Sequence, residues 1–280
     1  MIAPSGSEEI LWVIKIGGEI LDRSNHLETF YQRFARLSGK KILVHGGGKQ
    51  ATHLAHQLGI TPTLVDGRRI TDASMLRVVT MVYGGLINRR LVAQLAARGF
   101  LAIGLTGADG NIILAQKRPP RSIDYGRVGD IQKIEVARLD SLLRQGYLPV
   151  VAPLTHDGQG RLLNTNADTI AAGIAAAMVS HYQTFLFFAI DRPGVLQHPS
   201  KDSTFLPRLS YSEFRRLQAK GAIQRGMIPK LEQAFQALQQ GVTDVWIGHP
   251  RALAEEPASG ALRATRLVAS STGPSVARNR

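Results

Sequence analysis

Two stretches of this chain share one pattern: a short, nearly unbroken apolar run that stops at consecutive glycines just ahead of a helical segment. Residues 11–16, interrupted only by Lys15, stop at Gly17-Gly18, and residues 41–45 stop at Gly46-Gly47-Gly48. A run without polar alternation predicts a strand buried on both faces, and that in turn predicts a parallel sheet covered by helices on each side. The spacing elsewhere agrees. Helices are expected over residues 27–37, 50–58, 136–145, 169–178, 211–220 and 229–240, and strands over 100–105, 148–153, 184–190 and 244–247. Residues 112–116 and 129–134 read as a polar hairpin, and residues 155–158 as a turn. Asp72 is placed to cap a long apolar helix over 75–95. Gly84 and Gly85 fall in the middle of that helix, and their propensity cost predicts the close approach of another backbone, such as a second subunit. Such alternation of strands and helices predicts a doubly wound, mainly parallel sheet with ligands outside the carboxyl ends of its strands.

Length and composition narrow the function. A chain of 280 residues suits one two-lobed α/β unit. It contains no cysteine, which excludes disulfides, thiolate metal sites and a cysteine nucleophile. Residues 1–9 do not resemble a signal peptide, and no eighteen apolar residues run together, so a cytoplasmic protein is expected. The formal charge of +13 suits polyanionic ligands. The cations are scattered and no zinc-finger spacing or RNA-binding aromatic signature occurs, so no dedicated nucleic-acid or membrane partner is expected.

Glycine turns at two equivalent strand ends let backbone N–H groups face an anion, which favours phosphate. Neither a P-loop nor a complete Rossmann fingerprint is present. Lys15 lies in an apolar strand, where an ammonium needs an anion or an escape to the edge. Lys230, near a helix start, gains nothing from the helix dipole and reads from its position alone as an ordinary exposed lysine. Asn164, Asn166 and Asp168 alternate ahead of an alanine-rich helix. One cap needs one such residue, so three imply a polar site as well. Arg69 has the fork to hold a carboxylate, although a lone loop arginine is usually solvated. His53 and His56 have no third ligand nearby and read as a polar helix face.

Taken in order, V-I-K-I-G-G from Val13, L-V-H-G-G-G from Leu43, G-R-R-I-T from Gly67, L-N-T-N-A-D from Leu163, D-R-P-G-V-L from Asp191 and G-M-I-P-K from Gly226 resemble the amino-acid kinase family. The likeness runs from about residue 10 to 268. It implies a three-layer αβα sandwich in two lobes, with an acylglutamate site in about 10–170, an ATP site in about 171–268 and a tail over 270–280. Within the family the motifs are most similar to the branch that phosphorylates the side-chain carboxylate of N-acetyl-L-glutamate for arginine biosynthesis. On matching positions, the resemblance implies that Lys15 and Lys230 stabilise the transferring phosphoryl group and that Asp168 orients both. It implies that Gly47, Gly48, Arg69, Asn164 and Asn166 hold the acylglutamate. Gly17 and Gly18 would meet the γ-phosphate, and Asp191, Gly194, Leu196 and Gln224 would lie along the nucleotide. ATP is then the co-substrate, with Mg²⁺ carried mainly by its phosphates and no protein metal site.

The sequence departs from the family pattern at Lys49, at Ile190-Asp191-Arg192-Pro193 and at Ala264-Thr265-Arg266-Leu267. Aspartate, glutamate, carbamate and uridylate kinases fit the third and fourth motifs less well. A noncatalytic nucleotide or nucleic-acid binder on the same fold is the rival from another class, and the presence of Lys15 and Asp168 counts against it. A second possible acceptor is N-succinyl-L-glutamate, whose extra carboxylate would call on Lys49, Arg68, Arg89 or Arg90. The resemblance also implies a homodimer. Because related arginine-inhibited enzymes carry an added N-terminal helix, the short segment before the first strand predicts insensitivity to arginine.

Overall fold

The computed structural model describes residues 9–65, 67–120, 122–198, 204–223, 225–253 and 264–269. The chain begins with β1 (Ile10–Ile16), α1 (Gly18–Leu21), α2 (Ser24–Arg36), β2 (Lys40–His45) and α3 (Gly48–Gln57). A small ribbon of β3 (Leu64–Val65) and β4 (Arg68–Arg69) follows. Next come α4 (Ala73–Val79), a π-helical stretch (Thr80–Ile87) and α5 (Asn88–Ala96). The middle of the chain supplies β5 (Ala102–Leu105), β6 (Ile113–Lys117), β7 (Gly129–Ile134), α6 (Val136–Arg144) and β8 (Leu148–Val151). A tight pair, β9 (Leu154–His156) and β10 (Leu162–Asn164), leads into α7 (Ala167–Met178). The last part holds β11 (Gln183–Ala189), β12 (Arg208–Ser210), α8 (Tyr211–Ala219), α9 (Ile228–Gln239), β13 (Asp244–Gly248) and β14 (Ala264–Val268).

One eight-stranded sheet, ordered β12-β14-β13-β11-β1-β2-β8-β5, runs through the molecule. Its pairings are parallel except between β13 and β14. β1 is the switch point, because chain order departs from it on both sides, toward β2 and toward β11. Alternate residues of β1 feed two separate cores. Leu11 and Val13 pack with the apolar sides of α6, α7, α8 and α9, whereas Trp12, Ile14 and Ile16 pack with α2, α3, α4 and the π stretch. These are the two outer layers of an αβα sandwich. The alanine-rich face of α7 (Ala171, Ala172, Ala175) is what lets that helix lie close to the sheet, and added methylenes there would cost about 1–3 kcal/mol in overpacking.

A second, four-stranded sheet, β10-β9-β6-β7, stands beside the main one. The β6–β7 hairpin is the polar one legible in the sequence. The β9 and β10 strands, at three residues each, were not expected: the turn read over Thr155–Gly158 begins within β9, the true connection is 157–161, and the strands are too short to show alternation. The same holds for β12. Asp72 does cap the long helix, its carboxylate accepting from Met75 N–H at 2.7 Å. Among the described residues of this chain no other backbone approaches Gly84 or Gly85, which leaves a second subunit as the backbone expected there. They lie within the π turns, with Gly84 against the Leu154 side chain and open space at Gly85. The tail over 270–280 lies outside the described residues.

Candidate active site

The alternation of β1 determines where Lys15 goes. It has the parity of Leu11 and Val13, so it projects on the side of α7 and α9, one residue before the strand ends. There its Nζ meets Asp168 Oδ1 at 2.8 Å. Asp168 sits in the first turn of α7, whose N-cap is Asn166. The Asn166 Oδ1 accepts from the N–H groups of Asp168 and Thr169 at 2.8 and 3.1 Å. From the other direction Lys230, in the first turn of α9, donates to both carboxylate oxygens of Asp168 at 2.8 and 2.9 Å. Lys230 is 8% exposed, with its ammonium 5.0 Å from the centroid of the Phe188 ring. The exposed-lysine reading of that residue is therefore wrong. Position along a helix does not reveal a partner 62 residues away; only the resemblance pointed to one.

One buried carboxylate between two ammoniums leaves a net positive charge at the end of β1. Burial by itself would raise the Asp168 carboxyl, but Lys15 and Lys230 overcome that and hold it well below the usual carboxylate range. Burial lowers Lys230 to about 8, with Asp168 opposing and Lys15 reinforcing the change. An incoming polyanion satisfies both lysines where Asp168 alone cannot.

Lys15 and Asp168 line a cleft of about 240 Å³ that is open to solvent, whereas Lys230 is not among its lining residues and meets it through Asp168. Lys15, Gly17, Gly18, Gly47, Gly48, Arg69, Asn164, Asn166 and Asp168 all line it, as do Arg68, Tyr83 and Arg118. Arg69 is not in a solvated loop but in β4, and it is buried. Its Nη2 donates to the Gly48 carbonyl at 2.9 Å and to Thr52 Oγ1 at 2.7 Å, so it braces the glycine turn as it borders the cleft. Asn164 donates to Thr71 Oγ1 at 3.0 Å. Behind the glycine turn His45 is fully buried, and burial lowers its imidazole to about 4.

The nucleotide side is placed differently. Asp191, Gly194 and Leu196 follow β11, and none of them lines the cleft. A Cβ on Gly194 would collide with Thr265 Oγ1 and stand 3.0 Å from Thr265 N, so this glycine is required for packing against β14. Leu196 bridges to Phe205. Gln224 lies outside the described residues. Among the cations considered for a second carboxylate, only Arg68 reaches the cleft; Arg89 turns to Asn88, Arg90 lies exposed on α5, and Lys49 borders a separate apolar hollow with Val82 and Leu86. Arg118 was missed. It stands at the end of a polar hairpin strand, with no local pattern to mark it, and only the folding of β6 against β7 brings it in. Its Nε forks to Asp130 at 3.0 and 3.2 Å, and its buried Nη1 has no partner among the described residues.

Comparison with known proteins places the chain in a family. Residues 11–249 match the Amino acid kinase family. The chain is 50% identical over 240 residues to an acetylglutamate kinase of Bacteroides fragilis, covering 86% of this chain and 92% of that protein. It is 51% identical over 239 residues to an acetylglutamate kinase of Bacteroides thetaiotaomicron, covering 85% and 93%. Among solved structures, N-acetylglutamate synthase from Neisseria gonorrhoeae superposes with a TM-score of 0.76 at 23% identity, over 93% of this chain and 59% of that one. Carbamate kinase from Giardia lamblia superposes with a TM-score of 0.64 at 14% identity, over 94% and 99%; these two likenesses concern the fold alone. With a family match along nearly the whole described sheet, half the residues shared with named kinases, and two lysines gathered on one carboxylate at the switch point, the chain belongs to the amino acid kinase family.

Proposed function

We propose that this protein transfers the γ-phosphoryl group of ATP to the side-chain carboxylate of N-acetyl-L-glutamate. The observation that carries the chemistry is the pair of lysines, from β1 and α9, held on Asp168, which with Lys15 lines the glycine-walled cleft. Identity near 50% with acetylglutamate kinases supports the acceptor. Phosphoryl transfer passes through a loose transition state whose charge spreads over the equatorial oxygens, so positioning and charge neutralisation do most of the work. In this reading Lys15 and Lys230 bracket the group in flight, and Asp168 keeps the two ammoniums together against their mutual repulsion. No side-chain nucleophile is needed, because the acceptor carboxylate itself attacks.

Gly47, Gly48, Arg69, Asn164 and Asn166 hold the acylglutamate in the N-terminal part. The segment around Asp191, Gly194 and Leu196 lies along the nucleotide in the C-terminal part. Among the described residues no three carboxylates or imidazoles converge, and Asp168 is engaged by lysines, so the residues present fit Mg²⁺ brought on ATP phosphates better than a protein-ligated ion. When bound, Mg²⁺ would neutralise β- and γ-phosphate charge. A homodimer across the π stretch, where Met81 and Leu86 are 50% and 60% exposed, and a cytoplasmic location belong to the same proposal. No helix among the described residues is long and apolar enough to cross a membrane.

A second acceptor, N-succinyl-L-glutamate, is favoured by one observation: Arg68 and Arg118 line the cleft, and the Arg118 Nη1 lacks an acceptor among the described residues. An ADP-release assay with N-acetyl-glutamate, N-succinyl-glutamate, free glutamate and aspartate tests both readings. Turnover of an acylglutamate well above the free amino acids is expected. Comparable rates with glutamate or aspartate would sink the assignment, and preference for the acetyl compound unaffected by Arg118→Ala would remove the succinyl reading.

A further inference from the structure

Every other residue in the buried half of β2 is aliphatic (Ile42, Leu43, Val44), yet the strand ends on His45, which is as buried as they are. An imidazole in such a place is costly unless its nitrogens are bonded. Both are. The His45 Nδ1–H donates to the Gly46 carbonyl at 2.8 Å, and Nε2 accepts from the Asn88 amide at 3.2 Å. That amide also donates to the Val150 carbonyl at 2.8 Å, while its oxygen accepts from Arg89. The partners leave one consistent assignment: a neutral ring with its proton on Nδ1. A line of bonded groups thus runs from Arg89, exposed on α5, to the glycine turn in the cleft.

A trans peptide carries its C=O and N–H on opposite sides. Holding the Gly46 carbonyl against the ring therefore turns the Gly47 N–H away from it. Among the described residues nothing accepts the N–H of Gly47 or Gly48, and both glycines line the cleft. Gly47 has a φ of 153° and no side chain to resist rotation. The orientation of this peptide is fixed from behind, by the ring.

We propose that His45, held by Asn88, is a positioning residue for the acceptor: through the Gly46–Gly47 peptide it aims the Gly47 N–H at an acceptor oxygen without touching the substrate. This rests on the acylglutamate reading above. Among the described residues the ring bonds only Gly46 and Asn88, neither of them assigned to ATP, and Gly46 meets the other turn only through its N–H on the Ile16 carbonyl, so the effect should fall mainly on the acceptor.

The test is initial-rate kinetics with both substrates varied for His45→Leu, His45→Asn and Asn88→Leu. Asparagine places an amide donor near the position of Nδ1, whereas leucine fills space without a donor. His45→Leu should raise the KM of the acceptor about tenfold, the effect of one well-placed hydrogen bond, and leave the KM of ATP within about twofold. His45→Asn should recover most of the loss, and Asn88→Leu should fall between the two. Equal increases in both KM values, no increase at all, or an asparagine variant no better than leucine would overturn the proposal. If His45→Leu does not fold, the other pair decides: acceptor KM near the wild-type value in His45→Asn and raised in Asn88→Leu supports the strut, and any other order overturns it. A wild-type enzyme that ignores acylglutamates would sink the acceptor assignment alone. The same KM split, measured with the carboxylate acceptor it does use, would still decide on His45.

Discussion

The two glycine turns look equivalent in the sequence, and the fold uses them for different reasons. After β1, Gly17 has φ −101° and ψ 178°, a conformation open to any residue, and Gly18 starts a short helix. A Cβ on Gly17 would have one near neighbour, Lys15 Nζ at 3.4 Å. After β2, Gly47 has a φ of 153°, and a Cβ there would collide with Ile87 Cδ1 and lie 3.1 Å from Tyr83 Cδ1. Glycine after β2 is demanded by the backbone and by the π stretch packed on it. Glycine after β1 is demanded by neither, so what it keeps clear is the approach to the Lys15 ammonium. One turn is shaped by the protein and the other by what the protein binds.

The largest effect should come from the charge that the first turn exposes. Lys15→Ala should lower kcat by about 10²–10³-fold with KM values changed only a few-fold, as expected for a group acting on developing charge. The fold should survive, because Asp168 keeps Lys230. A variant with near-normal turnover would remove Lys15 from the chemistry and with it the contrast between the turns.

The second turn should answer through stability. Gly47→Ala combines an unfavourable φ with a steric collision, for which about 2–4 kcal/mol is a reasonable cost. Chemical denaturation measures it directly. A loss below about 0.5 kcal/mol, the range of ordinary surface changes, would mean that Ile87 can yield and that the turns do not differ as described.

A smaller effect separates the two sides by pH. Lys230 titrates near 8 in the folded protein, below the ordinary lysine value of 10.5. In the proposed reaction its ammonium neutralises phosphoryl charge from the nucleotide side, so kcat/KM for ATP should fall above pH 8, approaching tenfold per unit as the proton is lost. Stability runs the other way. Between about 8 and 10.5 the unfolded chain binds the proton more tightly than the folded one, so this group makes unfolding harder as pH rises. Asp168, held low, contributes its full stability above the unfolded value of 3.8, and loses it progressively as pH falls from there through its depressed folded value. Lys230→Arg should abolish the alkaline limb. If the limb persists in that variant, another group is responsible.

What could be read ahead of the structure follows from how local each signal is. Buried strands, glycine stops and the Asp72 cap are written in neighbouring residues, and the main sheet and its flanking helices were legible for that reason. Lys15 stood out because a charge in an apolar strand is anomalous wherever the strand goes. Lys230 did not, since its burial is created by Asp168 and Phe188, far away in sequence. Arg118 and His45 are the same kind of case. The first depends on a hairpin folding against the cleft, and the second on an asparagine 43 residues later. Only the ordered set of motifs, read as a family resemblance, anticipated how the lysines would meet. The difference between the glycine turns was hidden too, because the side chains that exclude a Cβ at Gly47, Ile87 and Tyr83, come from the later π stretch.

The finest test of that difference is Gly17→Ala. Its backbone already lies where alanine is comfortable, so unfolding free energy should change by no more than about 0.5 kcal/mol. The new methyl would nevertheless sit beside the Lys15 ammonium, in space that the cleft leaves open to an anion. It would partly desolvate the charge and keep phosphate oxygens from the closest approach, so the KM of ATP should rise, by about threefold to tenfold, the equivalent of one weakened charge-assisted bond. The KM of the acceptor should stay within twofold or so, since the proposed function holds the acceptor from the other turn. Gly47→Ala and Gly17→Ala therefore give opposite signatures from the same substitution in the same motif. Should Gly17→Ala prove as destabilising as Gly47→Ala, or raise the KM of the acceptor rather than that of ATP, the division of labour between the turns would be wrong.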